Sequence, residues 1–162
     1  MAATLEVTRR IRVRFPARPF RTQLRRVLAD IRPDIARQNS TLSLAWVSDN
    51  EIQRINKAYR GKNKPTDVLS FSFLERGRLA QGSGLGELII SVETLKRQAK
   101  QQGHAMAVEA EVLFIHGLLH ILGYDHERRA DLKKMLALER RFLGDKAGLI
   151  GRSLGESKMG SH

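Results

Sequence analysis

The chain has no cysteine among its 162 residues. Disulfides and thiolate metal sites are excluded, so any metal must be held by His, Asp or Glu. It also lacks an apolar run long enough to span a bilayer. The longest candidate, AVEAEVLFIHGLLHILG from Ala107 to Gly123, contains two Glu and two His. The N-terminal stretch MAATLEVTRRIRVRF alternates charged and apolar residues and has none of the continuous apolar core of a signal peptide. These absences lead to the expectation of a cytoplasmic protein with neither a membrane nor a disulfide partner. Negative charge is scarce as well: 17 Asp and Glu stand against 29 Lys and Arg, a formal net charge of +12. The excess is uneven, since residues 1–40 hold ten Arg and no Lys against Glu6, Asp30 and Asp34. A field of that sign attracts polyanions, and nucleic acid or a ribonucleoprotein is the expected partner class.

What is present is a chain of one-domain length that is 41% hydrophobic, enough for a genuine core. From Leu5 to Phe15 the odd positions are mostly apolar, the period of a half-buried strand. RTQLRRVLADI places Leu24, Val27, Leu28 and Ile31 at helical spacing, with Pro33 ending or restarting the helix. TLSLAWVS reads as a strand with Leu42, Leu44 and Trp46 on one face. SDNE at Ser48 to Glu51 fits a capping box, opening a helix whose Ile52, Ile55 and Tyr59 are expected to face inward and which Gly61 ends. TDVLSFSF aligns Leu69, Phe71 and Phe73 on a third strand, and ELIISV reads as a fourth. The Gly-rich ERGRLAQGSGLG between them fits no phosphate-binding glycine spacing and reads as a connection. A polar helix, a strongly apolar one from Met106 to Leu122 and an amphipathic one carrying Leu132, Met135, Leu136, Leu138 and Phe142 follow. This order predicts a single α+β domain over residues 1–147, with a small mixed four-stranded sheet packed by about five helices. Residues 148–162, rich in Gly and Ser, are expected to form a disordered tail.

The apolar segment carries the chemistry. HGLLHILGYDH puts His116, His120 and His126 in eleven residues of a chain with five histidines. On a helix His116 and His120 project from one face a turn apart. Gly123 can take the left-handed conformation that turns the chain, bringing His126 back as a third ligand. Three neutral imidazoles make an open metal site. Buried imidazoles with no such purpose would be costly. His104 lies outside the pattern and reads as a surface residue. The spacing His-x-x-x-His-x-x-Gly-x-x-His is that of the metzincin proteases, which carry a Glu base directly after the first His. Here that position is Gly117, and Met135 sits in an amphipathic helix, so proteolysis by that mechanism is not expected.

HGLLHILGYDH resembles the H-G-x-L-H-L-x-G-Y-D-H signature of the YbeY-type endoribonucleases, bacterial proteins of rRNA maturation. INKAYRGKNKPTDVLSFSF from Ile55 to Phe73 and GELIIS from Gly86 to Ser91 are similar to two further blocks of that family, in the same order. Ser72 replaces a usual Pro and Glu87 a usual Asp. The resemblance covers residues 40–145 approximately. It implies a metal-dependent, single-strand-specific endoribonuclease of small-subunit (16S) rRNA 3′-end maturation and ribosome quality control. It further implies one zinc or other divalent ion per chain, held by His116, His120 and His126, and Arg60 as the catalytic and substrate-binding basic residue. RNA, and with it the ribosome or a ribosomal protein, are the implied partners.

Arg60 suits a bidentate grip on phosphate. Lys62 and Lys64 follow in the same loop and can hold neighbouring phosphates as point charges. Asp125, beside the third histidine, can either orient an imidazole or cap the next helix. No general base stands out: Glu109 and Glu111 share the apolar helix without a fixed relation to His116. The competing expectation is a non-catalytic ribosome assembly or RNA-binding factor whose metal is structural.

Overall fold

The computed structural model describes residues 3–80, 82–125, 128–144 and 146. The strands are β1 (Ala3–Arg9), β2 (Ser40–Val47), β3 (Val68–Ser72) and β4 (Gly86–Ser91). The helices are α1 (Arg18–Ile31), α2 (Pro33–Ala36), α3 (Asp49–Arg60), α4 (Val92–Gln102), α5 (Met106–Ile121) and α6 (Arg129–Leu143). Among the described residues six helices are therefore seen where about five were expected; the extra one is the single turn that Pro33 restarts. The sheet runs β1-β2-β4-β3, with β1, β2 and β4 parallel and β3 antiparallel on the edge. The Gly-rich stretch is the β3–β4 connection. No single helix among the described residues is long and apolar enough to cross a membrane. The tail expected at 148–162 lies outside the described residues.

The two faces of the sheet are unequal. One buries Leu42, Leu44, Trp46, Leu88 and Ile90 against α1 and α5, the main core. The other buries Ala45, Val47, Leu69 and Ile89 beneath Ile52 of α3. Two expectations fail at the margins for a physical reason. The alternation that begins at Leu5 continues to Phe15, but β1 stops at Arg9 because its partner β2 gives way to α3 after Val47. Beyond Arg10, whose amide still reaches the Trp46 carbonyl at 2.9 Å, no strand is left to pair with. Phe15 nevertheless packs against Trp46, ring centroids 5.0 Å apart and planes tilted by 49°. The second failure is Tyr59, which does not face inward: it is 73% exposed, on the last turn of α3.

Local chemistry sets the helix ends. Ser48 Oγ accepts the Glu51 amide at 3.2 Å, but the Glu51 carboxylate leaves the capping box open and binds Arg10 at 2.7 and 2.8 Å. Gly61, at φ +70°, ends α3. Asp49 accepts from Ser91 Oγ, Thr94 Oγ1 and Arg97, while Glu93 accepts the Asp49 amide, so the N-termini of α3 and α4 clasp each other. Burial alone would raise the Asp49 carboxyl, yet the three donors outweigh it and hold the group below the ordinary carboxylate range.

Helix α5 is apolar around most of its circumference because it is buried around most of it. It crosses β3 and β4 at Gly117. A Cβ there would lie 2.5 Å from Leu88 Cδ2, 3.1 Å from Ser70 Oγ and 3.4 Å from Val68 Cγ2. A second close approach is Gly86, whose Cβ would lie 2.3 Å from the Phe71 carbonyl oxygen. In an exposed helix Gly→Ala stabilises; here Leu88 is fully buried and has nowhere to turn. Gly117→Ala is expected to cost about 1–3 kcal/mol, lowering the melting temperature by about 2–4 °C per kcal/mol. Gly86→Ala, which meets backbone rather than a side-chain end, is expected to cost more. Thermal unfolding followed by circular dichroism measures both, and an unchanged or raised midpoint for Gly117→Ala would show that α5 is less tightly seated than described.

Candidate metal centre and basic loop

His116 and His120 occupy successive turns of α5, immediately before and three residues after the contact at Gly117. Their rings lie 4.7 Å apart at 72°, and their Nε2 atoms approach to 3.2 Å. His116 is buried, and its Nδ1–H donates to Glu139 Oε1 of α6 at 2.8 Å. That bond leaves His116 Nε2 as the ring's lone-pair nitrogen, 3.2 Å from His120 Nε2. A cation can be shared by two such nitrogens. Zinc–nitrogen bonds of about 2.0–2.1 Å at a tetrahedral angle separate two donor nitrogens by about 3.3 Å. The 3.2 Å spacing matches that separation.

Glu139 strengthens the fit. It is fully buried, and its Oε2 has no hydrogen-bond partner among the described residues. A buried carboxylate is costly unless compensated, and a divalent ion on the far nitrogen of His116 would compensate it through the ring. Carboxylate–imidazole–metal relays of this kind fix ring orientation and tautomer. The sequence reading missed this residue, although a signal was there: Glu139 follows Met135 by four and precedes Phe142 by three, a carboxylate in a core position of an amphipathic helix.

The third expected ligand, His126, lies outside the described residues. Among those described, no third His, Asp or Glu joins the pair in a ligand cluster. Gly123 does adopt a positive φ, +101°, and α5 closes there through Gly123 N to His120 O and Tyr124 N to Leu119 O, both 3.0 Å. Asp125 does not cap the following helix: α6 starts at Arg129, with Arg128 at the cap position. His104 is not the surface residue the sequence suggested. It is part-buried, with Nε2 3.0 Å from the buried Glu109. Glu111 accepts from Gln23 and Lys146. Both carboxylates of α5 thus have partners of their own, away from the histidine pair.

Arg60 is the last residue of α3, and Lys62 and Lys64 follow in the turn to β3. The turn is built rather than loose. Buried Asn56 donates Nδ2–H to the Lys64 carbonyl at 2.9 Å, and Gln53 Nε2 donates to Asn63 Oδ1 at 3.1 Å. Buried Asp67 receives the Val68 amide at 2.7 Å and Gln98 Nε2 at 3.3 Å, anchoring the turn to the sheet and to α4. Burial pulls the Arg60 guanidinium below its ordinary value, though an arginine stays charged at neutral pH. The basic turn therefore enters β3, and β3 packs against α5 beside the histidines, with Ser72 Oγ donating to the Ile121 carbonyl at 2.7 Å.

Residues 7–146 match the family model described as Endoribonuclease YbeY. A protein of that name from Anaeromyxobacter sp. is 40% identical over 147 residues, covering 90% of this chain and 72% of the relative. One from Synechococcus elongatus is 44% identical over 140 residues, 80% of this chain and 79% of the relative. The Myxococcus xanthus protein is 46% identical over 117 residues, 70% of this chain but only 38% of its own length. A solution structure of a Thermotoga maritima protein superposes with a TM-score of 0.62 at 21% identity, covering 96% of this chain and 92% of that one. That likeness confirms the fold.

The histidine pair and its carboxylate generate a direct test. Zinc added to the metal-free chain is expected to raise the melting temperature. Glu139→Gln, which keeps the shape and removes the charge, is expected to weaken zinc binding about 10- to 100-fold. Competition with a chromophoric chelator measures this. Equal affinities in the two proteins would separate Glu139 from the site.

Proposed function

The chain belongs to the Endoribonuclease YbeY family, and on that premise we propose that it is a zinc-dependent endoribonuclease that cuts single-stranded RNA. Its substrate in this reading is small-subunit (16S) rRNA, at the maturing 3′ end and in ribosome quality control. The ribosome or a ribosomal protein is the partner, and the cytoplasm the location. The observation that carries the reading is the convergence of two imidazole nitrogens at 3.2 Å, one ring backed by a buried carboxylate. His116 and His120 would hold the ion together with His126.

When bound, the ion supplies Lewis acidity toward water and phosphoryl oxygen. Everything else falls to the chain. Glu139 would hold the His116 ring in the tautomer that ligates through Nε2. Arg60 offers a planar, permanently charged fork to a non-bridging phosphate pair, and its charge answers the negative charge that builds up in the transition state. Its partial burial strengthens that attraction relative to a solvated arginine. Lys62 and Lys64 hold adjacent phosphates. Position 117 supplies no base and has no room for one. Glu109 and Glu111 are committed elsewhere, so the peptidase mechanism that the histidine spacing suggests has no carboxylate on this helix to run on.

The test is cleavage of a small-subunit rRNA fragment by the wild type and by Arg60→Ala at matched metal content. The variant is expected to bind RNA but lose about 10²–10³ in turnover. Lys62→Ala or Lys64→Ala is expected to weaken binding across sequences and lower the salt slope by about 1. If the wild type binds RNA and zinc without cutting, the chain is an assembly factor with a structural metal.

A further inference from the structure

Tyr59 and Phe73 are the two large hydrophobic side chains left exposed among the described residues, at 73% and 45%. Phe71 links them, touching the Tyr59 ring in space and preceding Phe73 by two residues. Phe71 lies on β3, and Phe73, expected on the same strand, is the first residue beyond its end; the Tyr59 ring stands edge-on to Phe71 with centroids 5.4 Å apart and planes at 67°. Phe71 is half-buried, anchored in the smaller core beneath Ile52 and Leu69. Tyr59 is held at one edge only, and most of its ring meets solvent. Phe71 belongs to β3, the edge strand of the sheet among the described residues.

The surroundings of these rings are of one sign along the chain. Residues 52–66 contain Arg54, Lys57, Arg60, Lys62 and Lys64 and no acidic residue. A carboxylate does stand near them: Glu87 is paired across from Phe71 on β4. A rigid aromatic anchor, a second ring at right angles and a run of cations is the combination that binds a single strand: bases stack on the rings and the backbone follows the charges. A duplex cannot use such a surface, because its bases are already stacked.

We propose that Tyr59, with Phe71 beside it and Phe73 two residues further on, is a stacking platform for an unpaired base of the RNA strand, set on the opposite face of β3 from the histidine pair. The inference rests on the reading of the chain as an RNA hydrolase and adds to it the feature that selects single strands. A strand whose phosphates cross Arg60, Lys62 and Lys64 bends around the edge of the sheet. One base is held on the outer face while the scissile phosphate lies toward α5.

The experiment uses the full chain, loaded with zinc, and a single-stranded oligoribonucleotide carrying 2-aminopurine, with the matching duplex as comparison. The wild type is expected to quench the single strand's fluorescence. Tyr59→Leu keeps an apolar contact with Phe71 and is expected to melt like the wild type. It should bind the single strand roughly 5- to 100-fold more weakly and leave both duplex binding and the slope of log affinity against log salt unchanged. Cleavage is followed in the same samples. Quenching that depends on Tyr59 in a chain that does not cut would uphold the platform and sink the hydrolase. Cutting with wild-type affinity and quenching in both Tyr59→Leu and Phe73→Ser would overturn the platform and leave the hydrolase standing. A wild type that binds no RNA overturns both.

Discussion

At Gly117, helix α5 lies so close to the sheet that a methyl group would overlap Leu88. This contact fixes how the helix is rotated about its own axis, and the rest of the site follows from that rotation. Successive residues advance by about 100° around a helix. With Gly117 against the strands, His116 stands about 100° to one side and His120 about 60° to the same side. Both imidazoles therefore point along the flank of the helix toward α6, where Glu139 meets His116. A side chain at 117 would lift the helix or roll it, and either movement would carry the histidines off their line. The residue that looks like a missing catalytic glutamate is thus a spacing element, and its lack of a side chain is what lets the metal ligands aim.

Much of this could be read from spacing alone. His116 and His120 a turn apart, Ser48 and Gly61 bounding α3, the alternation of Leu42, Leu44 and Trp46, and the mixed four-stranded sheet are all consequences of local periodicity, and all are present. What escaped were relations between segments distant in sequence. Glu139 lies 23 residues from His116, and nothing local announces the pair except a carboxylate on an apolar face. The end of β1 at Arg9 was hidden because the limit belongs to β2, which turns into α3. Tyr59 sits at an inward phase of its helix, but on the last turn of α3 it meets only the edge of the Phe71 ring and stays 73% exposed.

The charge argument also changes once contacts are known. The ten arginines of residues 1–40 looked like one electrostatic field, yet several have structural partners. Arg10 binds Glu51, Arg32 binds Asp34 and the Gly77 carbonyl, and Arg26 grips the Arg141 and Phe142 carbonyls while lying over the Phe142 ring. These bonds tie the N-terminal segments to α3, to the β3–β4 connection and to the end of α6. Part of the N-terminal excess therefore fastens the ends of the fold, and composition alone overstates what is available to RNA. The basic run of residues 52–66 is the shorter one, but it leads directly into the strand that packs beside the histidines.

Two glutamate–histidine pairs involve α5, one part-buried and one buried, and their difference shows what makes a site. His104 meets Glu109 through Nε2, while its Nδ1 is buried with no hydrogen-bond partner among the described residues. His116 meets Glu139 through Nδ1, and its Nε2 faces another imidazole. The residue types, the burial and the hydrogen-bond length are nearly the same. Only the choice of ring nitrogen differs. In the first pair the remaining nitrogen is enclosed, so the interaction can do no more than hold the start of α5 to the end of α4. In the second, the carboxylate takes the nitrogen nearer the backbone and leaves the outer one directed at a second donor. Composition cannot distinguish these two cases, and neither can burial; the tautomer imposed by the partner can.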